Sequence, residues 1–127
     1  MKKIISKVFP KRGEIYLVNF DPTIGSEIKK TRPALIIQND ISNQYSPVTI
    51  VSAISSFETE EKIYPNEIHI SIKESGLPKN SIVLLNQIRT IDKERLIKKI
   101  GQLNNQKMFR IDIALKISLN IDNLNNF

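Results

Sequence analysis

Pro33 stands directly in front of a short apolar run, Ala34-Leu35-Ile36-Ile37, and that junction restricts the chain more than any other feature. A proline disfavours helical backbone in the residue before it and sets an extended entry. The run that follows is too brief for a helix and is bounded by the proline, so Pro33 to Asn39 reads as a buried strand. The residues ahead of it have the opposite character. Asp21-Pro22 is a turn dipeptide. Gly25 to Thr31, GSEIKKT, is a polar loop that begins at a glycine able to take a positive φ. Lys29, Lys30 and Arg32 then place three cations within four residues. A charged loop runs straight into a rigid core element, and binding and catalytic groups commonly sit in that arrangement.

The rest of the chain repeats the theme of short β-forming runs between turn residues. After a basic lead-in ended by Gly13, Glu14 to Phe20 alternates and reads as a first strand. Asp40 to Pro47, DISNQYSP, is dense in turn formers and predicts a turn or one short helical turn. Val48 to Ser55 is a third strand, and Ser56 to Asn66 an acidic loop. In Glu67 to Ile72 the three isoleucines face one way, with Glu67, His69 and Ser71 on the other, as in a half-buried strand. SGLPKN is a loop. Ser81 to Leu85 is a buried strand with a polar–apolar continuation to Thr90, Asp92 to Arg95 is a turn, and Gly101 tilts Leu96 to Leu103 towards a strand. One helix is expected, from about Asn105 to Leu124, with Asn104 or Asn105 as its cap and Met108, Ile111, Leu115 and Leu119 on its core face. No βαβ rhythm is visible, which argues against a parallel doubly wound sheet. A mainly β fold, a small and partly open antiparallel barrel closed by a C-terminal α-helix, fits best. At 127 residues this is one domain, with residues 1–11 as a basic lead-in.

Net charge narrows the partners. Formal charge is +6, and a basic balance favours a polyanion, although plain solubility explains it as well. Position tips the balance: Lys2, Lys3, Lys7, Lys11 and Arg12 form one cluster and Lys29, Lys30 and Arg32 a second, while Glu58, Glu60 and Glu61 gather elsewhere. The segment MKKIISKVFPKRG has lysines but no sustained apolar region or small-residue cleavage site, so no secretory signal is expected. No apolar run approaches the ~20 residues of a membrane span.

Several chemistries are excluded. With one histidine and no cysteine there is no thiolate zinc site, and no tight acidic cluster flanks the basic loop, so no metal or other cofactor is expected. Neither a nucleophile elbow nor a phosphate-binding glycine loop occurs. His69 lies on the polar face of its strand and reads as structural or exposed rather than catalytic. What remains is Arg32 at the loop–strand junction and Ser55 at the end of strand three. An arginine fork matches phosphate oxygens and can stabilise charge developing on phosphorus. By themselves, a surface or salt-bridged arginine and an ordinary polar strand end are the better readings of the two residues.

Their combination changes that reading. RGEIYLVNFDPTIGSEIKKTRPALIIQND (Arg12 to Asp40), VTIVSAIS (Val48 to Ser55) and NSIVLLNQIRTIDKERL (Asn80 to Leu96), in that order, resemble the MazF/PemK family of toxin endoribonucleases. The resemblance implies an SH3-like barrel that pairs into a homodimer, is cytoplasmic, and is held in check by a cognate antitoxin. It implies metal-independent cleavage of single-stranded RNA at a short sequence by attack of the ribose 2′-OH, leaving a 5′-hydroxyl. Arg32 matches the family's catalytic arginine, Ser55 its hydroxyl residue, and Glu27 a carboxylate that assists in some members. Many relatives carry Thr where this chain has Ser55, a departure that keeps the hydroxyl and loses the methyl that restricts its rotamer. The same resemblance gives Ser26, Lys29, Lys30 and Gln87 to RNA binding. Two other readings stand beside it: a gyrase-inhibiting toxin of the same fold, and a nucleic-acid-binding barrel without activity.

Overall fold

A computed structural model describes residues 9–20, 31–57 and 64–121 of the 127. Most of the basic lead-in, the Asp21–Lys30 loop with Ser26, Glu27, Lys29 and Lys30, and the acids Glu58, Glu60 and Glu61 lie outside the described residues. The elements run β1 (Glu14–Asn19), β2 (Thr31–Ile36), α1 (Asp40–Tyr45), β3 (Val48–Ser56), β4 (Glu67–Ile70), α2 (Ile72–Ser75), β5 (Ser81–Asp92), a 3-10 turn (Lys93–Arg95), β6 (Leu96–Gln102) and α3 (Asn105–Leu119). The six strands form one antiparallel sheet in the order β4-β5-β3-β2-β1-β6. It is the partly open barrel with a C-terminal helix that the sequence predicts.

Strand alternation divides the sheet between two apolar clusters. Ile15, Leu35, Ile54, Val83 and Ile70 join the larger one, which α3 covers with Ile111 and Ala114. Val18, Ala34, Ile36 and Val51, the residues between, make the smaller one. Truncating a fully buried residue such as Ile111 to alanine costs about 2–5 kcal/mol. The open ends of the sheet approach each other through α2. Gly76 caps this helix in the left-handed region (φ 80°), and a Cβ there would come within 2.9 Å of the Ile100 carbonyl oxygen on β6.

Several boundaries differ from expectation, each for a local reason. β2 starts at Thr31, because Thr31 and Arg32 pair with Asn19 and Val18, and it ends at Ile36 rather than Asn39. There the amides of Ile37 and Gln38 both donate to the Ile50 carbonyl, at 2.9 and 3.2 Å, which breaks the ladder before α1. β4 stops at Ile70. Ser71 forms a capping box with Glu74 and starts α2, leaving Ile72 49% exposed rather than on the core face. In α3, Asn104 is the cap, and Asn120 in the left-handed conformation ends the helix at Leu119, short of Leu124. Met108, Ile111 and Leu115 face the core as expected, but Leu119 is exposed. Phe109, Ile113 and Ile117 form a second, outward apolar stripe on α3.

Candidate active site

The candidate site grows from the register of β2 on β3. Ala34 pairs with Ala53 and Leu35 with Ser52, so two further steps along the same register put Arg32 across from Ser55. The described β2–β3 pairs end at Ala34–Ala53, and Pro33, which has no N–H to donate, stands next. Just beyond, a cleft of about 450 Å³ opens, lined by both Arg32 and Ser55. By strand alternation both side chains leave the sheet on the face of Ala34, Ile36 and Val51, whereas Leu17, Pro33, Ile54, Ser56 and Ser81 of the lining belong to the opposite face, so Arg32 and Ser55 border the cleft from the reverse side of the sheet.

Neither polar group is committed elsewhere. Arg32 is exposed and makes no ion pair or side-chain hydrogen bond with another described residue. The Ser55 hydroxyl donates only a long bond, 3.3 Å, to the neighbouring Ser56 carbonyl. An unpaired guanidinium beside an underused hydroxyl is suited to an anion with several oxygens. The remaining wall is split by chemistry. Leu17, Pro33, Ile54, Leu77, Pro78 and Ile100 give apolar surface, and Ser56, Lys79 and Ser81 give polar surface.

Lys79 is the cation that sequence reasoning missed. It reaches the cleft because the loop after α2 is firmly placed. Leu77 is buried in the larger core, its amide donates to the Ser75 Oγ at 3.0 Å, and the Asn80 side chain accepts from the Ile72 amide at 3.0 Å. The sequence signal was present in Gly76-Leu77-Pro78-Lys79: a helix-ending glycine, an apolar anchor, a proline and a cation. Gln87 behaves differently. The β3–β5 register jumps from Ser52–Ile88 to Ala53–Leu84, so Leu85, Asn86 and Gln87 have no partner on β3. Gln87 is exposed there and is not among the residues lining the cleft. Arg12, counted with the basic lead-in, is occupied: its Nη2 donates to Asp112 at 2.7 Å and its Nε to the Ile37 carbonyl at 2.8 Å. Among the described residues no group of three or more His, Asp or Glu could hold a metal ion.

The fold is that of a class of small toxins. The PemK-like, MazF-like toxins of type II toxin-antitoxin systems match residues 11–119, and the chain belongs to that family. It is 46% identical over 109 residues to Endoribonuclease EndoA of Bacillus subtilis (strain 168), covering 86% of this chain and 93% of that one. It is 45% identical over 116 residues to Endoribonuclease MazF of Staphylococcus epidermidis, covering 91% and 96%. Among solved structures, a Deinococcus radiodurans MazE-MazF complex (Form-II) superimposes with a TM-score of 0.73 at 22% identity, over 89% of this chain and 97% of that one. A mycobacterial endoribonuclease in complex with its cognate antitoxin gives 0.70 at 20% identity, over 89% and 97%. At these identities the structural likeness speaks to the fold.

Proposed function

We propose that the chain is the toxin of a type II toxin-antitoxin pair, an endoribonuclease that cuts single-stranded RNA, with Arg32 and Ser55 as its catalytic pair. The observation that carries the reading is their convergence on one cleft, with neither group consumed by the fold. RNA supplies its own nucleophile. The ribose 2′-OH attacks the adjacent phosphorus, the bond to the 5′ oxygen breaks, and that oxygen leaves as a 5′-hydroxyl once protonated. No metal is needed in this scheme.

An arginine guanidinium is permanently charged, so the part of Arg32 is electrostatic: it neutralises the pentavalent phosphorane. Ser55 holds a non-bridging oxygen or the 2′-OH by a hydrogen bond. Glu27 is the candidate proton acceptor. Lys29, Lys30 and Lys79 hold flanking phosphates, while Ser26 and Gln87 contact base edges of the unstacked strand. A homodimer doubles the concave surface, and the outward stripe of Phe109, Ile113 and Ile117 supports a second copy. The partner protein is the cognate antitoxin. No helix among the described residues is long and apolar enough to cross a membrane, and a cytoplasmic location fits an enzyme that acts on mRNA.

The test is cleavage of a long mixed-sequence RNA by purified, antitoxin-free protein in excess EDTA, with product ends mapped. Discrete cuts at one short motif with 5′-hydroxyl ends are expected. Folded protein that leaves the RNA intact overturns the reading.

A further inference from the structure

One aromatic pair belongs to neither core and lies on the same face of the sheet as Ser55. The rings of Phe57 and His69 lie 4.2 Å apart, centroid to centroid, at 37° to each other. Both residues are half-buried, and neither packs into the two apolar clusters.

Their position follows from strand register. Ser55 on β3 and His69 on β4 share one β5 partner, Ile82, so the three residues form a single cross-strand row. Side chains in such a row stand on one face of the sheet. Two strand spacings separate Ser55 from His69, ~10 Å. Phe57 is two residues beyond Ser55 and therefore on the same face. Its amide donates to the Asn80 carbonyl at 3.2 Å, next to Lys79 of the cleft wall.

The imidazole is not held as a buried structural histidine usually is. Buried polar atoms in proteins nearly always find a hydrogen-bond partner. The His69 Nε2 is buried and has none among the described residues. Its ring is kept in place by the Phe57 face and by its backbone, whose carbonyl accepts from Lys107 Nζ at 3.2 Å. Both residues are only half-buried, which leaves part of the pair's ring surface to solvent on the face of Ser55. Unstacked nucleobases dock on such surface, aromatic and histidine rings included.

We propose that Phe57 and His69 form a stacking platform for one base of the substrate, adjacent to the phosphate held by Arg32 and Ser55. The proposal rests on the RNA reading of that cleft. It makes the pair positioning residues: they seat the strand, and they touch no reacting atom.

Binding of single-stranded mixed-sequence 2′-O-methyl RNA tests it, since the blocked 2′ oxygen cannot attack and affinity is read apart from cleavage. Phe57→Leu and His69→Leu are expected to weaken binding about 10-fold each, the scale of one lost base stack. His69→Phe is expected to retain wild-type affinity, because it keeps the ring face and discards the nitrogens. Circular dichroism confirms that each variant is folded. Affinities for both Leu variants within about twofold of wild type overturn the platform. So does a His69→Phe loss equal to that of His69→Leu, or no binding by wild type. Wild-type protein that binds this RNA but fails to cut ordinary RNA sinks the nuclease reading and leaves the platform standing.

Discussion

Gly101 lies against Ser75 so closely that a Cβ built on the glycine would fall inside contact distance of the Ser75 carbonyl oxygen. This backbone-on-backbone approach joins β6 to the end of α2 and brings together the open ends of the sheet. It also shapes the cleft, because Ile100 on one side and Leu77 on the other both line it. Gly101→Ala forces main chain apart, since no flexible side chain is available to give way. Overpacking of this kind costs about 1–3 kcal/mol, and the rigid neighbour places this case at the upper end. A thermal unfolding midpoint lowered by several degrees is expected, with cleavage reduced in the protein that remains folded.

Arg32 is separable from the fold. Its side chain is exposed and supports no other described residue, so Arg32→Ala is expected to unfold within about 0.5 kcal/mol of wild type. RNA cleavage should fall by about 100- to 1000-fold, as when a principal charge-stabilising donor is removed. Arg32→Lys should recover little, because an ammonium cannot present the planar fork. Single-turnover cleavage beside urea unfolding reads both, and a folded Arg32→Ala protein that still cuts would exclude the arginine from the chemistry.

Ser55 makes a finer prediction. Its hydroxyl bonds only weakly to the next carbonyl, and serine has no methyl group to restrict χ1. Ser55→Thr should therefore raise the cleavage rate a few-fold by narrowing the rotamers, while Ser55→Ala should lower it by about 10- to 100-fold through loss of one hydrogen bond to a charged group. Equal rates for Ser, Thr and Ala at this position would remove it from the site.

Alternation made much of the barrel legible. β1 and β3 lie close to where period-two patterning puts them, β6 where Gly101 tilted an ambiguous run towards a strand, and Ile15 and Val18 enter opposite clusters as their spacing requires. The misses came from side-chain chemistry that overrides period. In Glu67 to Ile72 the isoleucine alternation runs on past the strand, but the Ser71–Glu74 capping box turns the chain into α2 two residues early. In α3 apolar residues occupy two faces, so Leu119 fitted a core stripe that the helix in fact turns outward. For the site, Arg32 and Ser55 border one cleft, but the local reading singled them out separately and only the resemblance paired them. Lys79 was hidden because its place depends on Leu77 anchoring a loop distant in sequence. Arg12 looked like a free cation because Asp112, its partner, is 100 residues away.

The same capping box gives stability a signature in acid. Burial alone would raise the Glu74 carboxyl. The Ser71 amide at 2.8 Å outweighs it, together with Lys107 Nζ at 3.1 Å and the Ser71 hydroxyl, and the pKa is held below the ordinary 4.5. A carboxyl with a lower pKa in the folded state adds stability above its ordinary value and loses it as pH falls through the folded value. Glu74→Gln should thus be less stable than wild type at about pH 6, with the gap closing as pH drops below 4.5. Urea midpoints across that range would show it, and a gap that widens in acid would contradict the assignment.

Arg12 fastens three separate parts of the chain, and the worth of each tie can be measured. Its backbone amide donates to Asp40 at 2.7 Å at the start of α1, its Nε to the Ile37 carbonyl after β2, and its Nη2 to Asp112 on α3. Asp112 is 46% exposed on its side chain, so solvent weakens that ion pair, whereas the Ile37 contact is partly buried. Asp112→Ala should cost about 0.5–1 kcal/mol. Arg12→Ala should cost about 2 kcal/mol, because it also strands the Ile37 carbonyl. In the double variant the loss should match Arg12→Ala alone, since the aspartate has no work left once the arginine is gone. Fully additive losses in urea unfolding would mean that the two residues stabilise the protein independently and that α3 is held to the β2 end by other contacts.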